Sequence, residues 1–361
     1  MKALARAMLA LLLGAAALLL TACGLPPNGV SALGVHLVGP RGYAVVGNRI
    51  IGPNGRPFLV HGVDRPSLEW DPSGDHLSLA DFQHMAAWGA NAVRISLNQD
   101  FWLRGSCAYD QGYAARVRRV VRWAQEAGIT IVILDLHLSD RGGDQGTWAC
   151  AVKPAQQPMA DRNSLTFWQQ VATTFRGNPR VWFELYNEPH DVSWSIWRNG
   201  GTVPAQGGTP SWRAAGMQQL YQAVRATGAR NIVLAGGLNW AGDLTGLPTW
   251  QLDGYNIAYT VHSYFGGQGD ADPVPLWRVR FGFAAARYPL VATEFGTYNC
   301  TATYEQNFIA YANQIGMGWT AWAWYPGGCG FPSLIENWSA TPTVMGQAVR
   351  TALGAYRRHG A

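Results

Sequence analysis

Residues 164–189 read SLTFWQQVATTFRGNPRVWFELYNEP. Phe167, Trp168, Val171, Ala172 and Phe175 recur at three- and four-residue spacing, the apolar stripe of an amphipathic helix. Gly177-Asn178-Pro179 then breaks the helix, and a near-continuous apolar run opens at Val181. A strand with no polar alternation is buried on both faces, as in parallel sheets flanked by helices. Polar residues gather where it ends, in Glu184, Asn187 and Glu188, and Pro189 cannot donate to a ladder, so pairing stops there. One helix, one short turn and one buried strand carrying carboxylates at its tip form a unit.

The same unit recurs along the chain. Strand candidates are Phe58–Val63, Ala92–Leu97, Thr130–His137, Val181–Glu188, Asn231–Ala235, Ile257–Tyr264, Leu290–Phe295 and Trp319–Trp324, eight in all. Helical patterns lie between most of them, among them Tyr113–Ala127, Ser164–Phe175, Trp212–Ala226 and Tyr304–Ile315. Eight βα units over roughly 300 residues match a single-domain (β/α)8 barrel, the TIM-barrel form of the α/β class, better than two dinucleotide-binding halves. No GxGxxG follows the first strand, which weakens that second architecture further. Helix-to-strand turns are short, whereas Leu138–Asn163, His190–Ser211 and Tyr325–Thr341 are long strand-to-helix loops. In a barrel those long loops share the C-terminal face, where sites are built. Tyr43–Pro57, with turns at Gly47-Asn48 and Asn54-Gly55, is expected to form an N-terminal hairpin over the opposite end.

Composition agrees with an enzyme-sized globular domain. Of 361 residues 48% are hydrophobic and only 14% charged, which excludes a disordered chain or a coiled coil. Trp (17) outnumbers both Phe (12) and Tyr (14), more than a core asks for. The net charge of +5 includes Lys2 and Arg6 and has no basic run behind it, so nucleic acid is not an expected partner. Residues 1–22 read as a signal peptide: two positive charges precede an apolar stretch, Ala7 to Leu20, too short to span a bilayer comfortably. Leu20-Thr21-Ala22-Cys23 resembles the lipobox of bacterial lipoproteins, which implies acylation of Cys23 and an exported, lipid-anchored protein. Residues 23–41 would then be the lipidated cysteine and its tether, and 42–361 the barrel. Four further cysteines remain, Cys107, Cys150, Cys300 and Cys329. In an exported chain an even number suggests disulfides, with three pairings possible. No CxxC, HExxH or P-loop occurs, so no metal or cofactor is expected.

Glu188 closes the fourth strand and Glu294 the seventh, in Val291-Ala292-Thr293-Glu294-Phe295-Gly296. Two carboxyls facing each other across the mouth of a barrel suit glycoside hydrolysis, one giving a proton and the other attacking or activating water. At this point the chain resembles glycoside hydrolase family 5 over roughly residues 42–357. The resemblance implies that Glu188, in Asn187-Glu188-Pro189, is the acid/base and Glu294 the nucleophile. It implies substrate-site roles for Arg94 on the second strand, His137 on the third, Asn187, and the pair His262 and Tyr264 on the sixth. A strand-eight tryptophan should lie under the sugar, and of Trp322 and Trp324 the reading favours Trp324. Asp135 and Glu184 sit lower on their strands and read as buried polar supports. Trp70, Trp102, Trp148, Trp194, Trp197 and Trp240 fall in or near upper loops, each as able to pack a loop as to stack on a pyranose. With the loops ordered around a barrel, Cys107 and Cys150 follow neighbouring strands, as do Cys300 and Cys329, so Cys107–Cys150 and Cys300–Cys329 are the expected bridges. The implied activity is a retaining endo-β-1,4-glucanase acting as a monomer on a β-linked polysaccharide or oligosaccharide, meeting the membrane only through its anchor. A β-mannanase, another β-glucanase or an exo-β-glycosidase would use the same residues, and an inactive carbohydrate-binding barrel would need only the tryptophans.

Overall fold

A computed structural model of the protein describes residues 42–141, 156–205, 210–265 and 273–359. The expected signal peptide, Cys23 and tether, together with Trp148 and Cys150, lie outside the described residues. No helix among the described residues is long and apolar enough to cross a membrane.

Eight parallel strands close a barrel in sequence order. They are β1 (His61–Arg65), β2 (Ala92–Asn98), β3 (Ile131–Leu138), β4 (Val181–Glu184), β5 (Val233–Gly236), β6 (Ile257–Phe265), β7 (Leu290–Thr297) and β8 (Gly318–Ala321). The expected (β/α)8 architecture is the one observed. Helices return the chain between strands; Tyr113–Glu126 shows the rule, with Tyr113, Val117, Val120, Val121 and Ala124 buried. Tight turns let the helices end where the strands must start. Gly89 caps Leu79–Trp88 at φ +104°, where a Cβ would lie 2.8 Å from the Leu353 carbonyl oxygen, so only glycine fits.

Side-chain parity on the strands divides the core in two. Val132, Leu134, Val93, Phe183 and Val233 join the large cluster packed against the helices. Ala92, Ile131, Ile133, Trp182, Leu234, Ala258 and Val291 form a second cluster, inside the ring. Tyr43 and Ile50 belong to that inner cluster, so the antiparallel hairpin Ala44–Val46 with Arg49–Ile51 seals the N-terminal opening as expected. Continuing the inward parity upward leads from Ala92 to Arg94, from Ile133 to Asp135 and His137, and from Trp182 to Glu184. The interior thus changes from apolar at its floor to ionic at its mouth.

Some boundaries differ from the sequence reading. Regular pairing in β4 stops at Glu184, although Leu185 and Asn187 still donate to the Leu234 and Leu136 carbonyls, at 3.0 Å each. β8 ends at Ala321, so strand alternation does not carry through Trp322 and Trp324. The expected helix Trp212–Ala226 begins only at Met217, because Trp212–Ala214 pairs with Gly201–Val203 as a small antiparallel ribbon.

Candidate active site

Arg94 stands at the centre of the barrel mouth with none of its surface exposed. Its Nε donates to Glu184 Oε2 at 2.5 Å, Nη1 to Glu294 Oε1 at 2.6 Å, and Nη2 to Asn187 Oδ1 at 2.6 Å. Asp135 lies 3.0 Å and Asp64 3.6 Å from the same guanidinium. Four carboxyls around one buried cation cannot all hold full charge cheaply. Burial, relieved in part by Arg94, lifts Asp135 to about 7, and burial lifts Asp64 well above the ordinary aspartate range. Glu184 and Asp135 are fully buried, which agrees with their reading as supports.

Glu294 takes Tyr264 Oη on its second oxygen at 2.5 Å. Across the mouth, Glu188 Oε1 lies 2.8 Å from His262 Nδ1, and Oε2 accepts from the Gln156 amide. Burial pushes the Glu188 carboxyl above its usual range, against Gln156, His137, Arg94 and His190, which favour the charged form. The same burial brings the imidazolium forms of His137 and His262 down to about 4, so both rings are neutral near pH 7. His137 Nδ1 lies 2.8 Å from Asp135 Oδ2, and its Nε2 is 3.4 Å from the Asn187 amide nitrogen. Among the described residues, Glu188, His262 and Glu294 bring one oxygen or nitrogen each within 4.8 Å of one another. Protein partners already face the oxygens of this trio: Arg94 and Tyr264 for Glu294, Gln156 and His262 for Glu188. The structure therefore assembles Glu188, Glu294, Arg94, His137, Asn187, His262 and Tyr264 in one place.

Trp324 is not part of it. Its ring is fully buried, donates from Nε1 to Asp81 Oδ1 at 2.8 Å and packs edge-on to Trp88, with centroids 4.6 Å apart. A ring with no free face cannot carry a sugar. Trp322 is the tryptophan at the mouth, 8% exposed and stacked on His137 with centroids 5.6 Å apart. Of the loop tryptophans, Trp102 and Trp197 are buried in the core and Trp194 packs against it, whereas Trp70 and Trp240 are 43% and 47% exposed. Trp70 follows β1 and meets Tyr325 and Phe331 edge-on; Trp240 follows β5, on the far side of the ring, and stacks on His190. Tyr298, also exposed, lies tilted beside Tyr264. Cys300–Cys329 joins the loops after β7 and β8 with a Cα separation of 5.3 Å. Cys107 is disulfide-bonded, and Cys150, its expected partner, lies outside the described residues.

Sequence reasoning missed Gln156 and Thr293, and of the two strand-eight tryptophans it favoured Trp324 over Trp322. Gln156 reaches Glu188 because the neighbouring Gln157 is clasped by Tyr186, whose hydroxyl accepts from the Gln157 backbone N–H at 3.0 Å and donates to its carbonyl at 2.7 Å. Tyr186 precedes Glu188 by two residues, but nothing in the spacing announces its partner.

The family model described as Cellulase (glycosyl hydrolase family 5) matches residues 52–328. Endoglucanase N of Pectobacterium atrosepticum is 24% identical over 279 residues, covering 74% of this chain and 54% of its own. Endoglucanase 5 of Pectobacterium carotovorum subsp. carotovorum is likewise 24% identical over 279 residues, covering 74% of this chain and 47% of its own. The chain thus spans about half the length of the curated relatives it matches. Among solved structures, β-glucanase SdGluc5_26A from Saccharophagus degradans superposes with a TM-score of 0.68 at 24% identity, over 87% of this chain and 93% of that one. The catalytic domain of a Thermobifida fusca endoglucanase gives 0.64 at 17% identity, over 86% and 97%.

Proposed function

The chain belongs to glycosyl hydrolase family 5, and from that premise we propose that it is a retaining endo-β-1,4-glucanase working by double displacement. The observation that supports this reading is the Glu188–Glu294 pair, one oxygen of each lying within 4.8 Å of the other across the mouth, which suits one carboxylate attacking while the other serves as the acid. Glu294 attacks the anomeric carbon, the glycosidic bond breaks, and Glu188 gives its proton to the departing oxygen. Water then attacks the same carbon while Glu188 takes its proton, and Glu294 leaves. The two oxygens of Glu294 are aimed by Arg94 and Tyr264. Burial keeps Glu188 protonated to higher pH than an exposed glutamate, as an acid catalyst requires. Asn187 and His137 meet the sugar bound between the carboxyls, with Trp322 beneath it. Trp70 and Trp240 on opposite sides of the mouth suit a chain that runs through the cleft, hence endo action on a glucan. Export and lipid attachment through Cys23 would put this cleft outside the cell as a monomer.

The test is sugar release from carboxymethylcellulose, mixed-linkage glucan, mannan, xylan and aryl β-cellobiosides, with Glu188→Gln and Glu294→Gln as controls and the anomer formed read by NMR. Glucan hydrolysis with retention, lost in both variants, is the expected result. A dominant rate on mannan reassigns the substrate, inversion removes the mechanism, and binding without turnover leaves a carbohydrate-binding barrel.

A further inference from the structure

The pairing of β6 with β7 slips by one residue at Val261/His262, so that Val261 faces Ala292 but His262 faces Glu294. Val291 lies inside the ring, Ala292 outside and Phe295 outside. The bulge between them turns both Thr293 and Glu294 inward. Glu294 reaches the mouth, and Thr293 comes to lie beneath His262.

Hydrogen bonds around Thr293 leave few choices for its proton. Every partner of Glu184 is a donor: Arg94 Nε to Oε2, and Thr260 and Thr293 hydroxyls to Oε1 at 3.0 and 2.6 Å. A hydroxyl has one proton, and the short bond to a carboxylate takes it. The 3.2 Å contact between Thr293 Oγ1 and His262 Nε2 can then form only with the hydrogen on Nε2. A neutral imidazole protonated at Nε2 presents a lone pair at Nδ1. That lone pair faces Glu188 Oε1 at 2.8 Å and, more distantly, Glu294 Oε2 at 3.5 Å, which already accepts from Tyr264; the short contact is one between two acceptors unless the Glu188 carboxyl carries the proton.

We infer that Thr293 is a positioning residue: held by Glu184, it fixes the tautomer of His262 and thereby keeps the resting proton on Glu188 Oε1. Glu188 Oε2 meanwhile accepts from Gln156. The chain Glu184–Thr293–His262–Glu188 links a buried, non-reacting carboxylate to the acid/base, and it rests on the assignment of Glu188 to that role. After Glu188 gives up its proton, the Nδ1 lone pair faces an anion, which favours reprotonation when water attacks. The other titratable and charged groups facing Glu188 are Arg94 from β2, Asp135 and His137 from β3, His190 from its own loop, Tyr264 from β6, and Glu294 and Tyr298 from β7 and its loop. All remain when Thr293 is changed.

Thr293→Val keeps the side-chain shape and removes the hydroxyl. His262 is then free to carry its hydrogen on Nδ1 and donate to an ionised Glu188. The basic limb of kcat/KM is expected to move down by about one pH unit, the scale of one hydrogen bond to a charged group. Phenyl β-cellobioside, which needs its leaving oxygen protonated, should lose up to about tenfold on the basic side of that limb, whereas the 2,4-dinitrophenyl glycoside should hold its rate. Thr293→Ser should restore both. With 15N-histidine label, His262 should carry its hydrogen on Nε2 in the parent protein and on Nδ1 in Thr293→Val. An Nδ1-bound hydrogen in the parent, or an unmoved limb with unchanged leaving-group dependence in Thr293→Val, overturns the relay. If the parent hydrolyses no glycoside, the proposed activity fails, and the NMR pattern still decides the tautomer.

Discussion

Truncating Trp322 and Trp324 in parallel separates a cleft residue from a core residue two positions away. Trp324→Ala deletes a fully buried indole, its edge contact with Trp88 and its hydrogen bond to Asp81. Burial of that kind is worth about 3–5 kcal/mol on truncation. Asp81 keeps its 2.5 Å pairing with Arg65, so its carboxylate is not stranded and no further penalty is due. For a domain of this size about 2 °C per kcal/mol gives a fall in Tm of about 6–10 °C. Trp324→Phe retains most of the volume and loses the donor, so it should fall by less than half as much. Trp322→Ala leaves the core intact and removes a ring stacked on His137 at the mouth. It should cost about 2 kcal/mol of transition-state binding, roughly 30-fold in kcat/KM, with a Tm change of a degree or two. Differential scanning fluorimetry and initial rates on a soluble cello-oligosaccharide read both. A Trp324→Ala protein that keeps its Tm and loses kcat/KM would refute the assignment and return Trp324 to the sugar site.

Three further outcomes are expected. Glu69 is buried with Oε1 unpartnered, and burial lifts it to about 8 against hydrogen bonds from its own and the Ser67 backbone N–H. Its ordinary value is about 4.3, so the folded state holds a proton that the unfolded chain releases, and the stability this gives is lost as pH rises towards 8. Thermal melts at pH 5 and pH 9 should therefore show a smaller drop for Glu69→Gln than for the parent, and an equal or larger drop would count against it. The Cys300–Cys329 bridge closes a loop with a sequence separation of 29 residues, which chain entropy values at about 3–4 kcal/mol. The double serine variant should melt correspondingly lower, and reductant should lower the Tm of the parent by more than that of the variant. Tyr264→Phe removes the 2.5 Å donor to Glu294 Oε2 but leaves Arg94 in place, so kcat/KM should fall about 10- to 100-fold with Tm nearly constant.

Parity explains which parts of this site could be seen in the sequence. Once a strand is known to be buried on both faces, alternate residues point into the ring, and the polar ones among them stand out against their apolar neighbours. Asp135 and Glu184 stand out that way, in runs such as Ile131–Leu138, and Arg94 and His137, which share that parity, take their roles from the family resemblance. Trp322 and Trp324 share one parity, so the sequence offers no choice between them, and the end of regular pairing at Ala321 removes the rule before it reaches either. Gln156 depends on a loop folding back onto Tyr186, a contact 29 residues away that no periodicity encodes. Thr293 is hidden for the opposite reason: strict alternation sends either Thr293 or Glu294 outward, and only the slip at Val261/His262 brings both in. That irregularity is what lets one strand bring both the Glu294 carboxylate and the Thr293 hydroxyl to the mouth of the barrel. A regular β7 would have to give up either the Thr293 contact with His262 or the Glu294 contacts with Arg94 and Tyr264. The departure from alternation is therefore part of the site's geometry, and restoring regular pairing there should lower any glycosidase rate while leaving the core packed.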